Sequence, residues 1–279
     1  KIKKVFGILN GTSNFILSKM QETNKDFSTI LKQAQNLGFA ESDPTFDING
    51  MDTAHKTSIL SMVSFGNIMD LESIFVEGIE GIQIDDIKFA DTLGYKIKLL
   101  GITQIKNCQV SQFVYPCLIN KLSTISNVSY ENNGVVVESD FSESLFFQGQ
   151  GAGSYPTATS VLSDIIDISK ENCLFNLKVS NLKKFKKFNI NERVGSYYLR
   201  LTTFDKPGVI SGISNEFKKF NISMKSMLQQ DPSSKEKHQA TIVLTTHDCL
   251  EKDMQNAIKK INALNFVVKK TVLFRIEKI

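Results

Sequence analysis

The chain of 279 residues has little cysteine and histidine and no long apolar run, and each shortage excludes a class of protein. Its four cysteines are far apart and form no CxxC pair, which argues against a sulfur-ligated metal site and fits a reducing, cytoplasmic location. Its three histidines, at positions 55, 238 and 247, are too scattered for a histidine-rich metal site. No segment approaches the ~18 apolar residues of a membrane span. We therefore expect no bound metal and no membrane association.

The overall composition is that of a globular protein, with 41% hydrophobic and 22% charged residues and room for about two domains. The net charge is +4, but residues 170–193 alone carry seven Lys or Arg and two Asp or Glu, so the rest of the chain is close to neutral. This basic stretch indicates either a phosphate-binding patch or, as is more usual for a charge run, a solvated linker. The only aromatic residues within and next to its lysine cluster over 183–187 are Phe185 and Phe188, so nucleic-acid binding is disfavoured.

Up to about residue 170, the hydrophobic periodicity predicts an α+β domain. A strand from position 5 leads through a polar turn into a first helix, for which Thr12 or Ser13 is a plausible N-cap. Further helices are predicted over 26–37, 50–66, 84–95 and 157–169, with a loop over 39–49. Strands are predicted over 96–103, 110–115, 135–138 and 145–148.

After residue 195 the pattern changes to strand, helix, two strands, helix and strand within about 80 residues. This βαββαβ order is that of a ferredoxin-like domain. The sequence therefore predicts an α+β domain over 1–170, a basic linker over 171–194 and a small second domain over 195–279.

Asp52 and Lys56 are four residues apart on the predicted helix over 50–66, so their side chains share one face. Such a pair is most often a surface ion pair that contributes ~0.3–0.5 kcal/mol. Here the preceding loop brings three more carboxylates close in sequence, those of Glu41, Asp43 and Asp47. A lysine among several carboxylates can serve as an acid–base group or help to bind a zwitterion, and loops before helices often carry such groups.

The glycine run over 149–153 follows a predicted strand and precedes a helix, and with Ser154 it nearly matches the dinucleotide-binding fingerprint. The second parallel strand that would confirm a Rossmann unit is missing downstream, so a complete unit is excluded. Two interpretations stay open: a tight turn, or a loop whose backbone approaches a ligand closely.

Four segments in this order, 7–17, 38–56, 89–101 and 149–158, resemble motifs of the catalytic domain of homoserine dehydrogenases. Residues 197–279, with the turn over 205–209, resemble an ACT regulatory domain. The fold that the resemblance implies is α+β: a mixed-sheet homoserine dehydrogenase catalytic domain followed by a ferredoxin-like βαββαβ ACT domain. The resemblance begins after the Rossmann domain of the family, so we expect an upstream part of the protein.

The resemblance implies NAD- or NADP-dependent interconversion of L-aspartate 4-semialdehyde and L-homoserine, in threonine, methionine and isoleucine biosynthesis. By resemblance Lys56 is the catalytic acid–base group and Asp52 its partner carboxylate. The other implied contacts are with the substrate, by Glu41, Asp47, Asp52 and Gly153, and with the cofactor, by Gly151 and Gly153.

Three points separate this chain from the family pattern. The NAD or NADP preference and a further active-site lysine would lie in the Rossmann domain, with the backbone metal-ion site just upstream. Phe39 stands where many members have Tyr, which removes one hydroxyl contact. The alternative function is an amino-acid-sensing ACT module without activity of its own, and we expect these 279 residues alone to be inactive in homoserine oxidation.

The resemblance also implies a regulatory site and self-association, as a homodimer or homotetramer. ACT domains bind amino acids near the first β–α turn, which here contains Asp205, Gly208 and Val209. The unpaired first-turn amides of the following helix can receive a carboxylate, and the implied pathway suggests threonine as the effector. The alternative is a domain that only dimerises.

Overall fold

The computed structural model describes residues 1–170, 182–230 and 239–279. The chain divides into two compact units. The first consists of Lys1–Lys88, Lys96–Pro116 and Lys121–Phe188, and the second of Phe89–Tyr95, Cys117–Asn120 and Asn189–Ile279. No helix of the described residues is both long and apolar enough to cross a bilayer.

The first unit is built on a sheet with the strand order β6-β5-β1-β3-β4. Neighbouring strands in the β3-β1-β5-β6 part run antiparallel, whereas the short β2 and β7 pair in parallel with β4, so the sheet is mixed. The strands are β1 (Ile2–Ile8), β2 (Phe75–Val76), β3 (Tyr95–Lys106), β4 (Gln109–Asn120), β5 (Asn132–Ser139), β6 (Ser144–Gln150) and β7 (Lys186–Lys187).

Within the described residues, six α-helices accompany this sheet, and most coincide with the predicted ones. They are α1 (Gly11–Thr23), α2 (Phe27–Asn36), α3 (Thr45–Ile48), α4 (Met51–Phe65), α5 (Ile84–Thr92) and α6 (Ser154–Ser169). The predicted loop over 39–49 contains the single turn α3, and α6 begins at Ser154, three residues before the predicted start. Of the three carboxylates in this segment, that of Asp47 therefore lies on a short helix, whereas Glu41 and Asp43 precede it.

The N-cap of α1 differs from the prediction. Asn10, rather than Thr12 or Ser13, occupies this position, with an extended backbone (φ −125°, ψ 115°) and a side-chain oxygen that accepts from the Ser13 N–H. Because Asn is among the strongest N-capping residues, it starts the helix directly after β1.

The second unit has a four-stranded antiparallel sheet with the order β12-β8-β10-β9 and two helices. Its elements are β8 (Val194–Phe204), α7 (Val209–Lys219), β9 (Met224–Gln230), β10 (Gln239–Thr246), β11 (Cys249–Leu250), α8 (Glu251–Ile261) and β12 (Val267–Glu277). Apart from the short β11, this is the predicted βαββαβ order. Alternate β8 residues Tyr197, Leu199 and Leu201 are buried in the same core as α7 and α8, as a half-buried strand requires.

Residues 182–188 of the predicted linker belong to the first unit, whereas residues 189–194 belong to the second. The Lys183 N–H donates to Gly66 O (2.8 Å), and its carbonyl accepts from the Ile68 N–H (3.0 Å). Strand β7 pairs with the start of β4, and Lys187 Nζ lies 2.8 Å from Asp70 Oδ2. Residues 171–181 lie outside the described residues.

Candidate active site

A buried asparagine at the end of β1 connects the two carboxylates that the sequence singles out. The Asn10 carboxamide Nδ2 donates to Asp47 Oδ1 (2.7 Å) and to Asp52 Oδ2 (2.8 Å), while its Oδ1 caps α1. Asn10 is only 5% exposed. Both donors of this amide are therefore used to hold Asp47, on α3, beside Asp52, on α4.

Lys56 lies on the same face of α4 as Asp52, as the spacing predicts. Its Nζ donates to Asp52 Oδ2 (2.7 Å) and to Leu9 O (3.1 Å). An ammonium group has three donors, so one N–H of Lys56 remains for a ligand. The Lys56 side chain is 44% exposed and that of Asp52 is 20% exposed, which leaves the pair accessible to a small molecule.

These side chains open into a cavity of about 340 Å³ within the first unit. Its wall includes the glycine loop Gly151-Ala152-Gly153, which joins β6 to α6, and the residues Glu131 and Asn133. Gly153 is the N-cap residue of α6. The loop is tightly packed, because a Cβ at Gly151 would lie 2.0 Å from Asn133 Nδ2. The glycines thus bring backbone, rather than side chains, to the edge of the cavity.

Five of the residues predicted for substrate, cofactor or catalysis line this cavity, namely Asp47, Asp52, Lys56, Gly151 and Gly153. Glu41 is exposed and is not among the lining residues. Its backbone carbonyl accepts from Gln35 Nε2 (3.1 Å). The contact of Glu41 with a substrate amino group stays a prediction.

Sequence reasoning missed Asn10, Thr12, Glu131 and Asn133, all of which line the cavity. Asn10 and Thr12 lie in the polar turn after β1, and the polar character of that turn was the available signal. Glu131 and Asn133 lie 75 and 77 residues beyond Lys56, so no local spacing connects them with it. Phe39 also lines the cavity, and its carbonyl accepts from Thr12 Oγ1 (2.8 Å).

The residues predicted to bind an effector lie in the second unit, at the turn from β8 to α7. Asp205 and Val209 line a small cavity of about 50 Å³ together with Thr203. The buried Thr203 hydroxyl has no hydrogen-bond partner among the described residues. Gly208 is the N-cap of α7 and has φ +91°, a left-handed conformation that favours glycine. In the described part of the chain, no cluster of three or more His, Cys, Asp or Glu side chains could hold a metal ion.

A protein-family model described as homoserine dehydrogenase matches residues 1–166, more than half of the chain. The chain belongs to the homoserine dehydrogenase family. The homoserine dehydrogenase of Neisseria gonorrhoeae is 38% identical over 290 residues, which cover 100% of this chain and 66% of that protein. This homoserine dehydrogenase chain thus spans about two-thirds of the length of that curated relative.

Solved structures of other family members share the fold. A homoserine dehydrogenase from Thiobacillus denitrificans has a TM-score of 0.91 and 38% identity, and the match covers 99% of this chain and 64% of that one. A hyperthermophilic archaeal homoserine dehydrogenase mutant in complex with NADPH has a TM-score of 0.51 and 26% identity, and the match covers 61% of this chain and 48% of that one. The mixed α+β sheet of the first unit is therefore that of the homoserine dehydrogenase catalytic domain.

Proposed function

We propose that the whole gene product that includes these 279 residues interconverts L-aspartate 4-semialdehyde and L-homoserine with a nicotinamide cofactor. Membership of the homoserine dehydrogenase family supports the reaction class. The observation that carries the assignment of residues is the contact between Lys56 Nζ and Asp52 Oδ2 at the cavity (2.7 Å).

Lys56 supplies the proton that the reduction of an aldehyde requires. Hydride addition at the carbonyl carbon builds negative charge on the oxygen, and a positioned ammonium stabilises that charge and donates the proton. Asp52 and Leu9 O hold this ammonium from one side, which leaves its remaining N–H for the substrate oxygen. In the oxidation of homoserine, the same group, as the neutral amine, accepts the hydroxyl proton.

The carboxylates suit the other end of the substrate. Both aspartate semialdehyde and homoserine carry an α-ammonium group, which forms charge-assisted hydrogen bonds with carboxylates. Asp47 and Asp52 are held side by side by Asn10 on one wall of the cavity. We assign substrate binding to these two aspartates and, as a prediction from the resemblance, to Glu41.

The glycine loop fits a nicotinamide cofactor as one wall of its site. Gly151 and Gly153 line the cavity and are exposed. Because glycine has no side chain, neither residue obstructs the approach of a flat ring. A reduced nicotinamide, when bound, would supply the hydride. The archaeal relative solved with NADPH supports a nicotinamide cofactor in this family. The choice between NAD and NADP is not assigned to any residue of this chain.

The activity is tested with the whole gene product and L-homoserine, by the growth of nicotinamide absorbance with NAD⁺ and with NADP⁺. We expect turnover with at least one of the two cofactors, and none with L-threonine in place of homoserine. A folded product that turns over with neither cofactor, but still binds an amino acid, would support the alternative of a sensing module.

We further propose that the second unit is an ACT domain that binds threonine at the turn from β8 to α7. Three features support a ligand there. The Thr203 hydroxyl is buried without a hydrogen-bond partner among the described residues, Gly208 is left-handed, and the first-turn amides of a helix such as α7 lack intrahelical partners. Calorimetry of the 279-residue chain should detect threonine binding that Gly208→Val weakens ~10-fold, about 1.4 kcal/mol.

The matched control is Gly94→Val, because Gly94 also has a positive φ (+83°) and open space around it. It introduces a similar backbone strain away from the turn and should leave threonine affinity unchanged. If the folded wild-type chain does not bind threonine at millimolar concentration, the second unit has only the dimerisation role.

A further inference from the structure

Lys98 is a buried lysine of the first unit that the proposed chemistry does not use. It lies on β3 and is 2% exposed. Its Nζ donates to Asn14 Oδ1 (2.9 Å) and to Val128 O (2.7 Å). Burial, with a smaller contribution from the charge of Lys96, lowers the pKa of Lys98 to about 7. Since burying an ammonium is costly, its retention here calls for a role that a hydrophobic residue could not fill.

Asn14 connects Lys98 with the loop over residues 128–132. Its carboxamide Nδ2 donates to three backbone carbonyls, those of Val128 (3.3 Å), Tyr130 (2.8 Å) and Asn132 (3.2 Å). Asn14 is itself buried, on the first turns of α1. We call Lys98 and Asn14, with these three carbonyls, the lysine clamp. It fixes every second residue of the segment that leads from residue 128 into β5.

The residues between and after the clamped carbonyls form one wall of the cavity. Glu131 and Asn133 both line it. The Glu131 carbonyl packs against Gly11, at which a Cβ would lie only 2.8 Å from it. Asn133 Nδ2 lies 3.4 Å from Leu9 O, the carbonyl that also accepts from Lys56. The clamp thus sets the distance between the wall that carries Glu131 and the wall that carries Lys56.

Glu131 contributes a carboxylate group to this wall. In the part of the chain that the structure describes, Glu131 forms no ion pair, although it lines a cavity that also contains a lysine and two aspartates. A carboxylate in that position can bind a donor of a ligand that carries an ammonium or amide group.

We infer that Glu131 is a substrate- or cofactor-binding residue of the proposed reaction, and that Lys98 is the positioning residue that holds it there through Asn14. The inference rests on the proposed function. Because neither residue is placed at the reacting oxygen, they act on ground state and transition state alike, and their loss raises KM and leaves kcat nearly unchanged.

The experiment compares Lys98→Met with Lys96→Met in the whole gene product, with homoserine and cofactor varied in turn. Lys96 is a suitable control, because it lies two residues earlier on the same strand and holds the same loop further from the cavity, at Ser126 O and Asn127 Oδ1. We expect Lys98→Met to raise KM for one of the two ligands about tenfold, and Lys96→Met to leave both KM values unchanged.

KM is the deciding readout, because a lysine that only supports folding would change the fraction of active enzyme and hence kcat, but not KM. Glu131→Gln should raise the same KM, and its effect should not add to that of Lys98→Met. An unchanged KM in Lys98→Met, or in Glu131→Gln where Lys98→Met does not fold, overturns the inference. Absence of turnover in the wild type overturns the proposed function instead, so the two failures are distinguishable.

Discussion

Replacing Lys56 with alanine should lower kcat for homoserine oxidation by ~10²–10⁴-fold, the contribution expected of a positioned proton-transfer group. The reason is that no other ammonium lies at the Asp52 carboxylate in the described part of the cavity. Folding should be little affected, since a partly exposed i,i+4 ion pair contributes at most ~0.5 kcal/mol. The measurement is kcat per mole of folded whole gene product, with denaturant unfolding in parallel.

Two further variants separate proton transfer from charge. Lys56→Arg keeps the positive charge, but a guanidinium does not give up a proton in proteins, so its kcat should also fall. Lys219→Ala removes a lysine from another intrahelical ion pair, with Glu216 on α7, and should leave kcat unchanged. Near-native turnover in Lys56→Ala would show that another group delivers the proton.

Replacing Glu251 with glutamine should destabilise the chain by ~3–5 kcal/mol, the usual cost of removing the charge of one member of a buried ion pair. Glu251 is 1% exposed and receives two hydrogen bonds from Arg275, from Nε (3.0 Å) and from Nη2 (2.6 Å). The Tyr197 hydroxyl donates to the same carboxylate (3.0 Å). The measurement is the free energy of unfolding of the chain in urea.

The control is Asp248→Asn, which breaks an exposed pair with Lys278 in the same unit and should cost less than ~1 kcal/mol. Replacing both partners, as Glu251→Leu with Arg275→Met, should recover much of the loss, because both charges of this pair are then removed. Equal destabilisation by Glu251→Gln and Asp248→Asn would contradict a buried, costly pair.

The Glu251 carboxylate also makes the folding stability of the chain depend on pH. Burial alone would raise the pKa of Glu251, but the charge and hydrogen bonds of Arg275, with hydrogen bonds from Gln255 and Tyr197, outweigh it and hold the pKa below its ordinary value. A lowered pKa in the folded state contributes stability above the unfolded pKa of ~4.3, and this contribution is lost as the pH falls through the folded value.

Local sequence patterns are sufficient to predict most of the helices and strands, and to predict that Asp52 and Lys56 lie together at the site. The spacing of Asp52 and Lys56 fixes a shared helix face, and α4 begins and ends within one residue of the prediction, between Gly50 and Gly66. The βαββαβ order was also readable, because alternation and helical periodicity are local properties. The Asp47 carboxylate was foreseen from its loop, although the single turn that carries it was not.

What could not be predicted depends on contacts between distant segments. The sequence does not single out Asn10, because two other N-cap candidates follow it within three residues. Only its hydrogen bonds to Asp47 and Asp52 show that it positions the carboxylates of the site. The wall with Glu131 is brought to Lys56 by the pairing of β5 with β1, which no local spacing encodes. The lysine-rich segment has the composition of a solvated linker, yet backbone pairing with β4 places part of it on the first unit.

The hydrogen bonds of Asn10 also affect how fast its carboxamide is lost by deamidation. Asparagine is a thermolabile residue, and Asn10 is followed by Gly11, whose lack of a side chain leaves its backbone nitrogen free to attack the asparagine carboxamide. The Asn10 carboxamide is held by the Ser13 N–H and by both aspartates, which hinders the rotation that cyclisation requires. Once that damage occurs, a third carboxylate stands between Asp47 and Asp52 in place of their shared donor. The chemical lifetime of one buried amide therefore limits how long the site stays competent.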